Sequence, residues 1–341
     1  MKRRQLFASN ELTFIERNRS KNPTHHYTTK RDDMTIKIEC HGESHVGRHR
    51  SDNEDQFLIA DLNKSMKIHQ TSLGLNHQTR LMGESQGKLL LVADGLGGHA
   101  SGERASSLAV DGVANYILNA MDWFLRLNED NEPELIEELK KAIFHSQNVL
   151  GEEAAEVPQR RGMATTLTMA YIIWPSMYVV HVGDTRCYAA RCDKIEQLTT
   201  DHNIANLVKE AEAQSSTSRD TSDDTKPHNP MGHALWNVVG GSDKTLEPQV
   251  EKYQLAPGDR LLLCSDGLTS YIEEDELHKA LMSDRTTKET CEYFIERANA
   301  LGGKDNITVI VAAIEQVESV DEQGDCQTDE LEGDFVLKDL D

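Results

Sequence analysis

The chain has 341 residues, 38% of them hydrophobic and 28% charged, which is enough for one large domain or two small ones with a buried core and no need of disulfides. Its 58 acidic against 36 basic residues leave a formal charge of -22, which argues against nucleic acid or an anionic membrane as a partner, since both demand a basic surface. No apolar run is long enough to span a bilayer, and Met1-Lys2-Arg3-Arg4 leads into polar residues rather than an apolar signal core, so the expected compartment is the cytoplasm.

Residues 1–33 are polar and aperiodic and are expected to form a flexible extension, with the folded core beginning near Met34. Short β-rich runs follow at 35–39, 57–60 and 89–93, separated by turns containing Gly, Asn and Asp. Two helices are predicted next. The first, over 102–121, carries Ala105, Leu108, Ala109, Val113 and Ile117 on one stripe; the second, over 132–150, has Pro133 in its opening turn. Strands are expected at 164–174, 177–182 and 187–190. A polar stretch at 214–230 then reads as a mobile loop within a variable region of about 205–240. Strand signals resume at 253–255, 260–264 and 306–313, with helices between them at 274–281 and 287–300. Because helices arrive in pairs between groups of strands, the fold class is α+β, layered and rich in antiparallel sheet, rather than a repeating βαβ array. The folded domain is expected to span 34–314. Residues 315–341 form an acidic tail that ends in Phe335, Val336, Leu337 and Leu340, a composition that suits a solvated segment or a docking peptide for a regulator.

Six cysteines (Cys40, Cys187, Cys192, Cys264, Cys291 and Cys326) form no Cys-x-x-Cys pair, and several sit in apolar runs, so they read as reduced and structural. A zinc site at Cys187 and Cys192 is disfavoured because the residues around them, Arg186 to Arg191, have the pattern of a strand.

Five places put a carboxylate beside Gly or Asn next to an apolar run: Asp52-Asn53-Glu54-Asp55, Asp94-Gly95, Gly183-Asp184, Asp266-Gly267 and Asp305-Asn306. Any one of them is an ordinary turn. Adjacent strands, however, bring their ends together, and that many clustered carboxylates would repel one another without cations. Hard divalent ions suit such a sparse oxygen cage, and two of them can share and acidify a water aimed at phosphorus. Gly95, with no side chain, would let its carbonyl approach a cation.

In their order, Arg50…Asn53-Glu54-Asp55, Asp94-Gly95-Leu96-Gly97-Gly98-His99, Gly162-Met163-Ala164-Thr165-Thr166, Gly183-Asp184-Thr185-Arg186, Asp201-His202, Ser265-Asp266-Gly267 and Asp305-Asn306-Ile307-Thr308 resemble the metal-dependent type 2C protein serine/threonine phosphatases, the PPM family. The compact Gly-Leu-Gly-Gly-His form looks bacterial. The resemblance implies a four-layer α-β-β-α sandwich with two central antiparallel sheets and a metal cleft at one end. It implies hydrolysis of phosphoserine and phosphothreonine in proteins by a water bridging two Mg²⁺ or Mn²⁺ ions.

By the same resemblance Asp94 bridges both ions, Asp266 and Asp305 complete one site, and Glu54 with the Gly95 carbonyl serves the other. Asp55 is a ligand or holds a water, Asp184 helps bind a third ion, Asn306 supports the ligands, and Arg50 binds the substrate phosphate. Relatives in animals carry a histidine at the position of Leu96 as the proposed general acid. Here water in the cation shell is the expected donor, with His99 a weaker candidate. The segment 234–241 follows the family pattern only loosely, and the loop at 214–230 takes the place of a flap that shapes selection of protein substrates. A cognate kinase or regulator could engage the acidic tail.

The remaining histidines carry less. His25 and His26 fall in the extension, His181 alternates with apolar strand residues as a satisfied core group, and His202 orders a turn. A catalytically dead phosphoprotein-binding scaffold is disfavoured because every expected acid is present. A nucleotide-binding ATPase is disfavoured because no Gly-x4-Gly-Lys-Ser/Thr loop occurs.

Overall fold

A computed structural model describes residues 34–68, 70, 80–97, 100–121, 130–214, 234–241 and 246–318. The extension 1–33, most of the polar loop, the tail beyond 318 and His99 lie outside the described residues, so the expectations placed on them are not addressed. Thr35–Val317 forms one compact unit.

The elements in chain order are β1 (Met34–His45), β2 (Asp55–Lys67), β3 (Arg80–Leu96), α1 (Ala100–Asn119), α2 (Glu132–Glu156), β4 (Ala164–Thr165), β5 (Leu167–Ile173), β6 (Ser176–Val182), β7 (Arg186–Arg191), β8 (Lys194–Gln197), α3 (Ile204–Gln214), β9 (Val239–Gly240), β10 (Gln249–Gln254), β11 (Arg260–Cys264), α4 (Asp266–Thr269), α5 (Glu274–Leu281), α6 (Thr287–Leu301) and β12 (Ile307–Glu318). One sheet has the order β1-β12-β11-β7-β8. The other runs β10-β6-β5-β3-β4-β9, with β2 also paired to β3. Every pairing whose register is described is antiparallel.

Three cores explain why the central strands are apolar on both faces, as strands covered on both sides must be. Along β3, Leu89, Leu91 and Ala93 pack with α1 and α2, through Val113, Ile117, Leu139 and Ile143. The intervening Leu90 and Val92 face the second sheet and meet Ala189, Leu261, Leu263 and Ile310. On that sheet's outer face Leu262, Cys264, Val309 and Val311 pack on α5 and α6 through Leu277, Leu281, Phe294 and Ala298. A two-residue side-chain period therefore divides one hydrophobic run between two cores, and the result is the expected α-β-β-α sandwich.

The differences from the sequence reading lie in the polar segments. β2 and β3 extend well past their predicted ends, and β12 continues to Glu318, beyond the expected domain boundary at 314. β8 has no apolar run, because it is an edge strand paired only with β7, and α3 lies within a stretch read as loop. The expected strand at 164–174 is two elements, β4 and β5, both paired with β3 and separated by Thr166. α6 opens with a capping box, in which the Thr286 side chain accepts from Glu289 N–H and the Glu289 carboxylate accepts from Thr286 N–H.

Candidate metal centre

Antiparallel pairing alone brings the acidic strand ends together. Asp55 opens β2 directly across from Asp94 near the end of β3, so two carboxylates occupy facing positions of one ladder, an arrangement that repels unless a cation intervenes. In the other sheet the last residue of β11, Cys264, pairs with Arg186 at the start of β7 and with Val309 near the start of β12. Asp266, Asp184 and Asp305 thus follow or precede those ends at the same edge. A cavity of 820 Å³ there is lined by Arg50, Glu54, Asp94, Gly95, Asp184, Asp266, Asp305 and Asn306, among others. Asp55 lies buried behind it, its Oδ2 accepting from Ser265 Oγ at 2.7 Å while its Oδ1 is buried without a hydrogen-bond partner.

Crowding shows in the acidities. Burial pushes Asp55 up to about 7, against the pull of the Ser265 hydrogen bond and with the help of the Asp266 and Asp305 charges. Burial and then the charge of Asp266 bring Asp184 to about 7, and burial and then Asp305 bring Asp266 to about 6. Asp94, which feels burial and four neighbouring aspartates, lies well above the ordinary carboxylate range. Among the described residues no three His, Cys, Asp or Glu side chains already close into a bare metal cage. The donors are all hard oxygens with room between them for water, the shell that Mg²⁺ and Mn²⁺ favour, and the partnerless Asp55 Oδ1 is a buried acceptor awaiting a positive group. The residues fit divalent cations.

The supports are specific. Asn306 spends its whole amide on the Arg50 loop: Oδ1 accepts from Glu54 N–H at 2.8 Å, and Nδ2 donates to the carbonyls of Val46 and Asp52 at 3.0 and 2.9 Å. Thr166 Oγ1 accepts from Asp94 N–H at 3.0 Å, and Thr165 Oγ1 donates to the Asp94 carbonyl at 2.8 Å. Gly95 has a further reason to be glycine beyond a free carbonyl: a Cβ there would lie 2.2 Å from the Gly102 carbonyl oxygen, so α1 can begin against β3 only if position 95 has no side chain. Arg50 Nη2 donates to Asp305 Oδ2 at 2.8 Å, and both side chains remain substantially exposed.

The Asp184 loop rests on a buried polar network that the sequence only hinted at. Gly183, at φ 108°, donates its N–H to His202 Nδ1 at 3.1 Å, and its carbonyl accepts from His202 N–H at 2.7 Å. His181 Nε2 faces the same carbonyl at 3.0 Å, so it carries the proton, leaving Nδ1 to accept from Thr168 Oγ1 at 2.8 Å. His202 Nδ1 also faces the Asn237 amide nitrogen at 3.1 Å, which requires a neutral ring. Burial pushes His181 down to about 3 and His202 down to about 4. His181 is therefore the satisfied core group expected, while His202 does more than order a turn: it ties the Asp184 loop to the segment that follows the polar loop. Arg186 and Asp201, joined by two bonds of 2.8 and 2.7 Å, close the loop from the other side. Neither Ser265 nor Asp201 was singled out from sequence, although both stand within the recognised motifs. Cys187 is buried and Cys192 exposed, and no metal cluster forms around them among the described residues.

A family model described as Protein phosphatase 2C matches residues 75–308. The serine/threonine phosphatase stp of Listeria innocua is 33% identical over 225 residues, which cover 65% of this chain and 83% of that protein. PstP, a serine/threonine protein phosphatase of Mycobacterium tuberculosis, is 31% identical over 230 residues; they cover 67% of this chain but only 40% of PstP. A crystal structure of a PstP catalytic domain in complex with 2 manganese ions aligns over 82% of this chain and 100% of that one, with a TM-score of 0.60 and 26% identity. The chain belongs to the protein phosphatase 2C family, with bacterial serine/threonine phosphatases among its relatives. Arg50, Glu54 and Asp55 precede the matched segment, and it is the fold that joins them to Asp94, Asp266 and Asp305. No helix among the described residues is long and apolar enough to cross a membrane.

Proposed function

We propose that this chain hydrolyses phosphoserine and phosphothreonine in proteins with two divalent cations, Mg²⁺ or Mn²⁺. The observation that carries the reading is the facing pair Asp55 and Asp94, crowded by Asp184, Asp266 and Asp305, with the partnerless Oδ1 of Asp55 at its base. In this reading Asp94 would serve both ions, Asp266 and Asp305 one, and Glu54 with the Gly95 carbonyl the other. Asp55 would complete the set, and Asp184 would help hold a third ion. Cations held by these residues would supply Lewis-acid activation of a water nucleophile and would neutralise charge on the phosphoryl oxygens.

Arg50 contributes orientation. One of its N–H groups engages Asp305, which leaves the rest of the exposed guanidinium fork to hold phosphate oxygens. Asn306 keeps the Arg50 loop and Glu54 in register through three hydrogen bonds. Leu96 lines the cavity and has no proton to give, so the leaving alkoxide takes its proton from water. We place this activity in cytoplasmic signalling, with the acidic tail as a docking segment for a cognate kinase or a regulator.

The test is hydrolysis of a phosphothreonine peptide by chelator-treated protein before and after addition of Mn²⁺ or Mg²⁺, with Asp266→Ala alongside. Metal-dependent turnover that the substitution abolishes is expected. No turnover with either metal would instead favour a scaffold that binds phosphoproteins.

A further inference from the structure

The carboxylates occupy only one side of the 820 Å³ cavity. The apolar part of its lining is Leu96, Ala164, Ala234, Leu235 and Val238. Strand register accounts for the division. Side chains alternate along a strand, so Leu96 stands on the same face of β3 as Asp94, while Gly95 between them turns to α1. Leu96 pairs with Ala164 across the β3–β4 ladder, and Ala164 pairs in turn with Gly240, on the same face as Val238. The alternate set, Thr165 and Val239, is buried on the opposite side, with Val239 in the helix-side core. Apolar residues thus extend the lining from the carboxylates across β3 and β4 to Val238, just before β9.

A cavity of this size matches those that enclose whole small molecules, ~300–1,000 Å³, and far exceeds what one phosphoryl group fills. Leu96 and Leu235, half-buried, supply the accessible surface of this apolar floor, and Ala164 and Val238, 6% exposed, back it. Because both sets of residues line one cavity, a side chain next to the phosphoresidue in a bound substrate is within reach of the floor.

We propose that Leu96, Ala164, Leu235 and Val238 form a specificity subsite that takes an apolar side chain adjoining the phosphoresidue of the protein substrate. The inference rests on the phosphatase reading above and deepens it. An acidic neighbour would meet both an apolar surface and the carboxylates; an apolar one is removed from water beside the reacting group.

The experiment uses the full chain loaded with Mn²⁺ and phosphothreonine peptides alike except that the residues adjoining the phosphothreonine are Leu, Ser or Asp. The Leu peptide is expected to exceed the Ser peptide about tenfold in kcat/KM, within the discrimination an apolar pocket gives, and the Asp peptide to be poorest. In Leu235→Asn and, separately, Leu96→Thr, the Leu-to-Ser ratio is expected to fall below about threefold, with thermal melting used to verify folding. Equal hydrolysis of Leu and Ser peptides by the unaltered chain, or a ratio that survives in both folded variants, overturns the subsite and leaves the phosphatase reading intact. No hydrolysis of any peptide refutes the phosphatase reading itself, and the subsite with it.

Discussion

Replacing Asp55 by Asn should make the metal-free protein more stable while harming it as a metal protein. Asp55 is 3% exposed, stands opposite Asp94, and has one satisfied and one orphaned oxygen. Its pKa is raised from 3.8 to about 7, chiefly by burial. Because the folded value lies above the unfolded one, the stability it contributes is fully present below about pH 4 and is lost as pH rises through 7. Three units correspond to at most ~4 kcal/mol. The repulsion is shared among neighbours, and an amide donor beside the orphan site carries its own penalty, so about 2 kcal/mol is expected for Asp55→Asn at pH 8. That is roughly 5 °C in Tm for a chain of this size. Melting in chelator at pH 5 and pH 8 reads the difference: the variant should lead at pH 8 and lose its lead at pH 5. Excess Mn²⁺ should reverse the order, since a cation at ~100 times its Kd adds ~2.7 kcal/mol to whichever protein binds it. A variant less stable than the parent at pH 8 in chelator, or a lead that does not change with pH, would refute electrostatic crowding as the signature of the site.

His202, depressed to about 4, should erode stability in the opposite direction. Its contribution is whole above pH 6.5 and is lost as pH falls towards 4, so His202→Asn, which keeps an acceptor near the Nδ1 position, should gain on the parent by roughly 2 kcal/mol across that window in denaturant titrations. A constant difference from pH 8 to pH 4 would contradict this. Gly95→Ala should cost ~2 kcal/mol or more and weaken Mn²⁺ binding measured by calorimetry, because its Cβ would lie 2.2 Å from the Gly102 carbonyl oxygen and 2.8 Å from that of Glu54. Wild-type stability in this variant would show that α1 yields freely.

The acidic motifs were legible because each is local. An apolar run that ends in Asp-Gly or begins after Asp-Asn announces both a strand end and a carboxylate at it, and the continuous burial of Leu89 to Ala93 follows from a sheet covered on both faces. Helices α5 and α6 were equally plain, since a periodic stripe, and for α6 a capping box, is written within about a dozen residues. Polar elements such as β8 and α3 were hidden because an edge strand and a surface helix bury too little to leave a pattern.

What no local pattern contains is register. That Asp55 faces Asp94, that Ser265 reaches Asp55 across 210 residues, and that Arg50 meets Asp305 across 255 are consequences of which strands pair and by how much they are offset. The sequence by itself determined the clustered carboxylates, the strand ends that carry them and the family pattern. Only the tertiary structure decided that Gly95 is required by the approach of Gly102, that His202 must remain neutral between Gly183 and Asn237, and that Leu96 begins an apolar floor. Each of these depends on contacts between residues far apart in the chain, set by the packing of two sheets and a helix layer rather than by any preference of the residues themselves.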